Sequence, residues 1–159
     1  MADRVLVAGV GNIFCSDDGF GPAVASALLE GPIPDGARVV DYGIRGVHLA
    51  FDVAGGVDTL ILVDTVPAAG SGPGSVAVLE IDPATFGGAA LDAHDLDPAA
   101  VLRSLGTLGD GVRPRTLLVG CQPDVLDDGI GLSEAVAAAV PVAVDKVLQL
   151  VRRELGDPP

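Results

Sequence analysis

Residues 4–29 carry the pattern that decides the fold: they read RVLVAGV at 4–10, GNIFCSDDG at 11–19 and FGPAVASALL at 20–29. The first piece is a short, continuous apolar run, which is typical of a buried parallel strand. The second is a polar loop. The third predicts a helix, because its one proline falls in the first turn, where proline is tolerated. A strand, a loop and a helix in this order predict the start of an α/β fold.

The rest of the chain continues the alternation. Strands are predicted at 37–41, 59–64, 75–81 and 115–121, and helices at 47–53, 97–108 and from 134 onward. Segment 75–81 alternates in polarity after a Gly/Pro turn and predicts an edge or hairpin strand. Ser133 is predicted to cap the last helix, and Pro141 predicts a kink or a restart within it. The pattern predicts a mostly parallel sheet between helical layers, and a single domain over residues 1–159.

The charge balance limits the partners. The formal net charge is −13, with only 9 Lys and Arg residues, so a nucleic-acid partner is not expected. No apolar run approaches the roughly 18–20 residues that cross a bilayer, and the first residues lack the features of a signal peptide. We therefore expect a cytoplasmic protein with no membrane partner. Cys15 and Cys121 are the only cysteines and form no CxxC motif, which predicts free thiols.

Acidic residues follow three successive predicted strands. Asp18 lies in the loop after the first strand, and Asp41 and Asp64 end the second and third. In open α/β sheets, ligands bind beyond the carboxyl ends of the strands. Gathered carboxylates repel one another, and a bound cation would relieve that repulsion. His94, in the polar crossover 86–97, is a candidate nitrogen ligand. A lone Asp at a strand end is often only a turn former, and a lone His is more often structural than a ligand. We assign His48 to that structural class.

Other site motifs are weak or absent. Gly9 and Gly11 begin a GxGxxG dinucleotide pattern, but its third glycine would fall on Phe14. The chain has no GxxxxGK[ST] phosphate loop and no GxSxG nucleophile elbow. Nothing in the sequence favours serine or thiol catalysis.

The stretch from Gly9 to Gly21 resembles the N-terminal signature of the hydrogenase maturation proteases, a strand followed by GxGN and then D-D/E-G-x-G. The similarity continues in order through DYG at 41–43, LILVD at 60–64, His94 and GCQP at 120–123. The resemblance implies a three-layer α/β/α fold of phosphorylase/hydrolase-like type, with a five-stranded, mostly parallel mixed sheet. Its one antiparallel strand would be 75–81.

The resemblance also implies a function and a site. The metal ligands would be Asp18, Asp64 and His94, and Asp41 would match a further acid near the cleft, so that Asp18 or Asp41 is the candidate catalytic base. The family more often has Glu where this chain has Asp18, and Cys15 falls at a packing position. The metal would be nickel supplied by the substrate, with zinc or cadmium as a possible surrogate. The substrate would be a nickel-iron hydrogenase large-subunit precursor, from which an endopeptidase removes the C-terminal extension after metal loading.

Two alternatives stay open at this point. A peptidyl-tRNA hydrolase has a similar α/β architecture and also begins with a strand and a G-x-G-N turn, but it would need a basic face for RNA, which the net charge of −13 opposes. A non-catalytic metal- or nucleotide-binding module would bind its ligand and leave every precursor uncut.

Overall fold

The computed structural model describes residues 3–67, 71–81 and 114–156. Its strands are β1 (Val5–Val10), β2 (Ala37–Gly43), β3 (Thr59–Thr65), β4 (Val76–Ile81) and β5 (Arg115–Cys121). Its helices are α1 (Phe20–Leu29), α2 (Gly46–Ala54) and α3 (Glu134–Glu154), and a short 3-10 turn covers Ser16–Gly19. The predicted helix 97–108 and His94 lie outside the described residues.

The strands form one sheet in the order β2-β1-β3-β5-β4. Strands β1, β2, β3 and β5 are parallel, and β4 runs antiparallel to β5 at the edge. The five-stranded mixed sheet and the antiparallel edge strand are therefore confirmed. Because the four parallel strands point the same way, the residues that follow them meet at one edge of the sheet.

Alternate strand residues face opposite helical layers. On one face, Val5 and Val7 pack in a cluster with the buried sides of α1 and α3. On the other face, Leu6 and Ala8 belong to a cluster completed by α2. These two clusters give the predicted three-layer α/β/α architecture.

Helix α1 lies unusually close to the sheet at Gly21. A Cβ built on Gly21 would lie 2.3 Å from the Val10 carbonyl oxygen and 2.4 Å from that of Val63. Only glycine fits at such a distance, so this residue lets the start of α1 pack directly over β1 and β3. The 3-10 turn before α1 is thereby held above the carboxyl ends of the same strands.

The last helix differs from its prediction. Pro141 lies inside α3, which runs without interruption from Glu134 to Glu154, so the predicted restart is wrong. Proline removes one backbone hydrogen bond. The side chain is exposed, while Ala139 and Ala143 on either side of it are buried against the core. That packing holds the helix together through the proline.

Ser133 stands at the N-cap position of α3, as predicted, but its side chain makes no capping hydrogen bond. Its hydroxyl donates instead to Asp17 Oδ2 at 2.9 Å. The start of α3 is thus tied to the turn that precedes α1.

Candidate active site

Three of the four predicted site residues lie at the carboxyl edge of the sheet. Asp41 lies in β2 beside Gly9 of β1, and Asp64 lies in β3 beside Gly120 of β5. Asp18 lies in the 3-10 turn that follows β1. The fourth, His94, lies outside the described residues, so its position stays a prediction.

Asp18 is fixed by a hydrogen bond to each carboxylate oxygen. Its Oδ2 accepts from the backbone N–H of Asn12 at 2.8 Å, and its Oδ1 accepts from the Thr65 hydroxyl at 3.2 Å. One bond comes from the loop after β1 and the other from the end of β3. The carboxylate therefore bridges two strand ends and is half-buried.

Asp64 is buried, with 7% of its surface exposed, and its Oδ1 accepts from the backbone N–H of Thr65 at 2.7 Å. Thr65 thus donates its N–H to Asp64 and its hydroxyl to Asp18. This shared residue brings the two carboxylates into one unit, which we call the Asp18–Asp64 pair. Burial of charge in such a pair is costly unless further donors or a cation compensate for it.

Gly11 lies close to both acids. Its φ is +146°, and a Cβ built there would lie 1.9 Å from the Asp18 carbonyl oxygen and 3.6 Å from Asp64 Oδ1. Any side chain at this position would displace the backbone of Asp18. The second glycine of the GxGN motif is therefore required by the geometry of the pair, not by a nucleotide phosphate.

Asp41 lies near Gly11, on the neighbouring strand β2. A Cβ built on Gly43 would lie 3.8 Å from Asp41 Oδ1 and 3.8 Å from the Gly11 carbonyl oxygen. The Arg45 guanidinium donates to the main-chain oxygen of Asp41 and leaves its carboxylate out of that bond. Asp41 therefore lies at the same edge of the sheet as the Asp18–Asp64 pair, and the hydrogen bonds from Asn12 and Thr65 do not involve it.

Within the described ranges 3–67, 71–81 and 114–156, no group of three or more His, Cys, Asp or Glu side chains is arranged to hold a metal ion. Among the described residues, the candidate metal ligands are the carboxylates of Asp18 and Asp64. Carboxylate oxygens are ligands that nickel and zinc accept in proteins, usually together with imidazole. The pair fits part of a metal site, and the predicted third ligand, His94, would have to come from outside these ranges.

Asp17 has a structural role that the sequence analysis missed. It is fully buried and accepts four hydrogen bonds, from the N–H groups of Asp124, Val125 and Ser133 and from the Ser133 hydroxyl, at 2.7–2.9 Å. These bonds fasten the turn that carries Asp18 to the loop after β5. Burial raises the pKa of Asp17, but the four hydrogen bonds to the charged form outweigh it, and the pKa is lowered overall.

Replacing Asp17 by Asn is expected to destabilise the protein by about 3 kcal/mol, because an NH2 group would take the place of one carboxylate oxygen and face at least one buried N–H donor, from which it cannot accept. Urea unfolding at neutral pH measures the change, with Asp127→Asn, at an exposed site on the same loop, as the control.

Since the folded-state pKa is lowered, the stabilising effect of Asp17 is present above the unfolded-state pKa of about 3.9 and is lost as pH falls through the folded-state value. The free energies of unfolding of wild type and Asp17→Asn should converge in acid. Equal free energies of unfolding at neutral pH would contradict this role.

Both cysteines are free, as predicted. Cys121 is buried, and its pKa is raised to about 11 by burial and by the nearby Asp17 carboxylate. A thiol that stays protonated at neutral pH is a poor nucleophile. Cys121 is therefore a packing residue at the end of β5.

The comparisons with known proteins agree with one another. The family model for hydrogenase maturation protease matches residues 22–150. The hydrogenase 2 maturation protease of Escherichia coli is 35% identical over 152 residues, covering 94% of this chain and 91% of that protein. A putative hydrogenase maturation protease of Methanocaldococcus jannaschii is 30% identical over 157 residues, covering 94% and 97%. The solved structure of the hydrogenase maturating endopeptidase HybD from E. coli has a TM-score of 0.80 and 34% identity, covering 94% of this chain and 93% of that one.

These relatives are maturation proteases and endopeptidases, and their similarity to the chain shows that it is a peptidase. The chain belongs to the hydrogenase maturation protease family. The predicted family is therefore confirmed. Among the helices that the structure describes, none is both long and apolar enough to span a bilayer.

Proposed function

We propose that this chain is the endopeptidase that removes the C-terminal extension of a nickel-iron hydrogenase large-subunit precursor once nickel has been loaded. The observation that carries the proposal is the Asp18–Asp64 pair, joined through Thr65 at the carboxyl edge of the sheet. Family membership supports hydrogenase maturation as its setting. It also favours the protease over a peptidyl-tRNA hydrolase or a non-catalytic module.

In this proposal nickel arrives with the substrate and is contacted by Asp18, Asp64 and His94. Two carboxylates and an imidazole leave coordination positions open for groups of the precursor. A metal held by these residues would polarise the scissile carbonyl, or would lower the pKa of a bound water toward about 7. Zinc or cadmium would be a surrogate with a similar preference for these ligands.

The proton transfers fall to a carboxylate beside the metal, either Asp41 or Asp18. The hydrogen bonds from Asn12 and Thr65 hold Asp18 in a single orientation, which suits a ligand as well as a base. Asp41 stands outside that network and adjoins it through Gly11 and Gly43. The proposal includes both Asp41 and Asp18 as candidate bases.

The test is incubation of the purified chain with purified, nickel-loaded large-subunit precursor, followed by mass spectrometry of the intact large subunit. The expected product has lost one peptide from its C-terminus and keeps its N-terminus. A precursor of unchanged mass, or a cut elsewhere in the chain, would contradict the proposed function.

A further inference from the structure

Five large apolar side chains are exposed on the two loops that flank the Asp18–Asp64 pair. In the loop after β1, Phe14 is 60% exposed, and in the loop after β5, Ile130 is 79% exposed. Exposing such side chains has no benefit for folding, since their burial is what stabilises a fold. We call this surface the apolar rim; its members are Ile13, Phe14, Val125, Leu126 and Ile130.

The two loops are fastened to each other by their backbones. Gly129 N–H donates to the Phe14 carbonyl at 2.9 Å, and Ser16 N–H donates to the Gly129 carbonyl at 2.9 Å. Asp17 N–H donates to the Val125 carbonyl at 2.9 Å, in addition to the bonds made by its carboxylate. The apolar rim is thus carried on backbone that is already ordered. A partner that binds there does not have to order these loops, which lowers the entropic cost of association.

The two chain segments that carry the apolar rim hold charge of a single sign. Residues 5–37 and 116–145 contain no Lys, Arg or His, and they include every member of the apolar rim. Exposed carboxylates of Asp124, Asp127 and Asp128 lie on the same loop as Ile130. An exposed apolar patch bordered by polar residues is typical of a protein interaction site. Its acidic border suits a partner segment with apolar residues flanked by Lys or Arg.

The apolar rim is continuous with the candidate active site. Asn12, which donates its N–H to Asp18 Oδ2 at 2.8 Å, directly precedes Ile13 and Phe14. A polypeptide that contacts these side chains is therefore placed beside the Asp18–Asp64 pair. We propose that the apolar rim docks the hydrogenase large-subunit precursor through an apolar segment flanked by basic residues. This inference rests on the proposed function for the identity of the partner.

The test measures binding separately from cleavage. Nickel-free precursor, which is expected to stay uncut, is titrated onto immobilised chain with the apolar rim either intact or carrying Phe14→Lys and Ile130→Lys. We expect the two lysines to weaken binding about tenfold or more, because each removes apolar contact and places a positive charge opposite a basic segment. Phe14→Glu with Ile130→Glu removes the same apolar area but keeps the charge sign, so it should weaken binding less.

The control is Leu29→Lys, at an exposed leucine at the far end of α1, which should leave binding unchanged. Equal binding by the intact and the lysine-substituted apolar rim would overturn the proposal, as would no binding with the rim intact. Circular dichroism melting verifies that the variants fold. If the rim substitutions weaken binding but wild-type chain cuts nothing, the proposed function fails and the docking surface stands. If wild type cuts and the substitutions change neither binding nor cutting, the docking surface fails alone.

Discussion

Asp64→Asn and Asp18→Asn are each expected to reduce processing of the nickel-loaded precursor by about 1000-fold, while the protein stays folded. Each substitution removes one negative charge from the edge where the proposal places the metal. An amide oxygen is a weaker metal ligand than a carboxylate, and it cannot act as a base. The measurement is the rate of appearance of the shortened large subunit under single-turnover conditions.

Asparagine suits this test because it can keep the hydrogen bonds from Asn12 and Thr65. At position 64, the amide oxygen can still accept from the Thr65 N–H. At position 18, the amide oxygen can accept from the Asn12 N–H while the NH2 group donates to the Thr65 hydroxyl, which can serve as acceptor. A loss of activity would therefore report the missing charge rather than a displaced loop.

Asp58→Asn is the matched control. It removes the same charge from an exposed carboxylate just before β3, at the opposite edge of the sheet, where Asp58 pairs with Arg4. We expect its processing rate to match wild type. Wild-type rates in both Asp18→Asn and Asp64→Asn would move the active site away from this pair.

Gly11→Ala is expected to lower processing by about 100-fold, because displacement of a catalytic group by about 1 Å can cost that much. The added methyl group would lie 1.9 Å from the Asp18 carbonyl oxygen, so the turn that carries Asp18 has to move. Stability should fall as well, since φ is +146° at this position and alanine is strained there. Activity is compared at a temperature at which circular dichroism shows the variant to be folded.

Gly72→Ala separates the two effects. Gly72 also has a positive φ, +134°, but a Cβ built there meets nothing within 4 Å. That variant should lose a similar amount of stability from backbone strain and keep its processing rate. If Gly11→Ala also processes at the wild-type rate, the position of Asp18 is not set by Gly11, and the geometric account of the GxGN motif is wrong.

The elements that the sequence predicts well are those whose local pattern and packing agree. Helix α1 spans Phe20–Leu29 as predicted, because a polar loop precedes it and prolines follow it. Strand β5 spans Arg115–Cys121 as predicted, because its interior is continuously apolar and buried. Pro141 is the exception, since the packing of α3 on the core outweighs the lost hydrogen bond.

The candidate site could be predicted only in part. That carboxylates follow the parallel strands is visible in the sequence, and so is the edge at which they meet. The sequence does not show which acid of the Asp17-Asp18 dipeptide is structural. One of the N–H donors to Asp17 belongs to Asp124, which lies 107 residues further along the chain. The apolar rim was missed for the same reason, since Phe14 and Ile130 become neighbours only through the backbone pairing around Gly129.

The central claim is that the Asp18–Asp64 pair acts on a precursor that carries its own nickel. The direct measurement compares purified nickel-loaded and nickel-free precursor, each incubated with the same amount of chain, by intact mass of the large subunit. We predict that the loaded precursor loses its C-terminal extension and that the nickel-free precursor stays at full length. Equal cleavage of both would contradict the account.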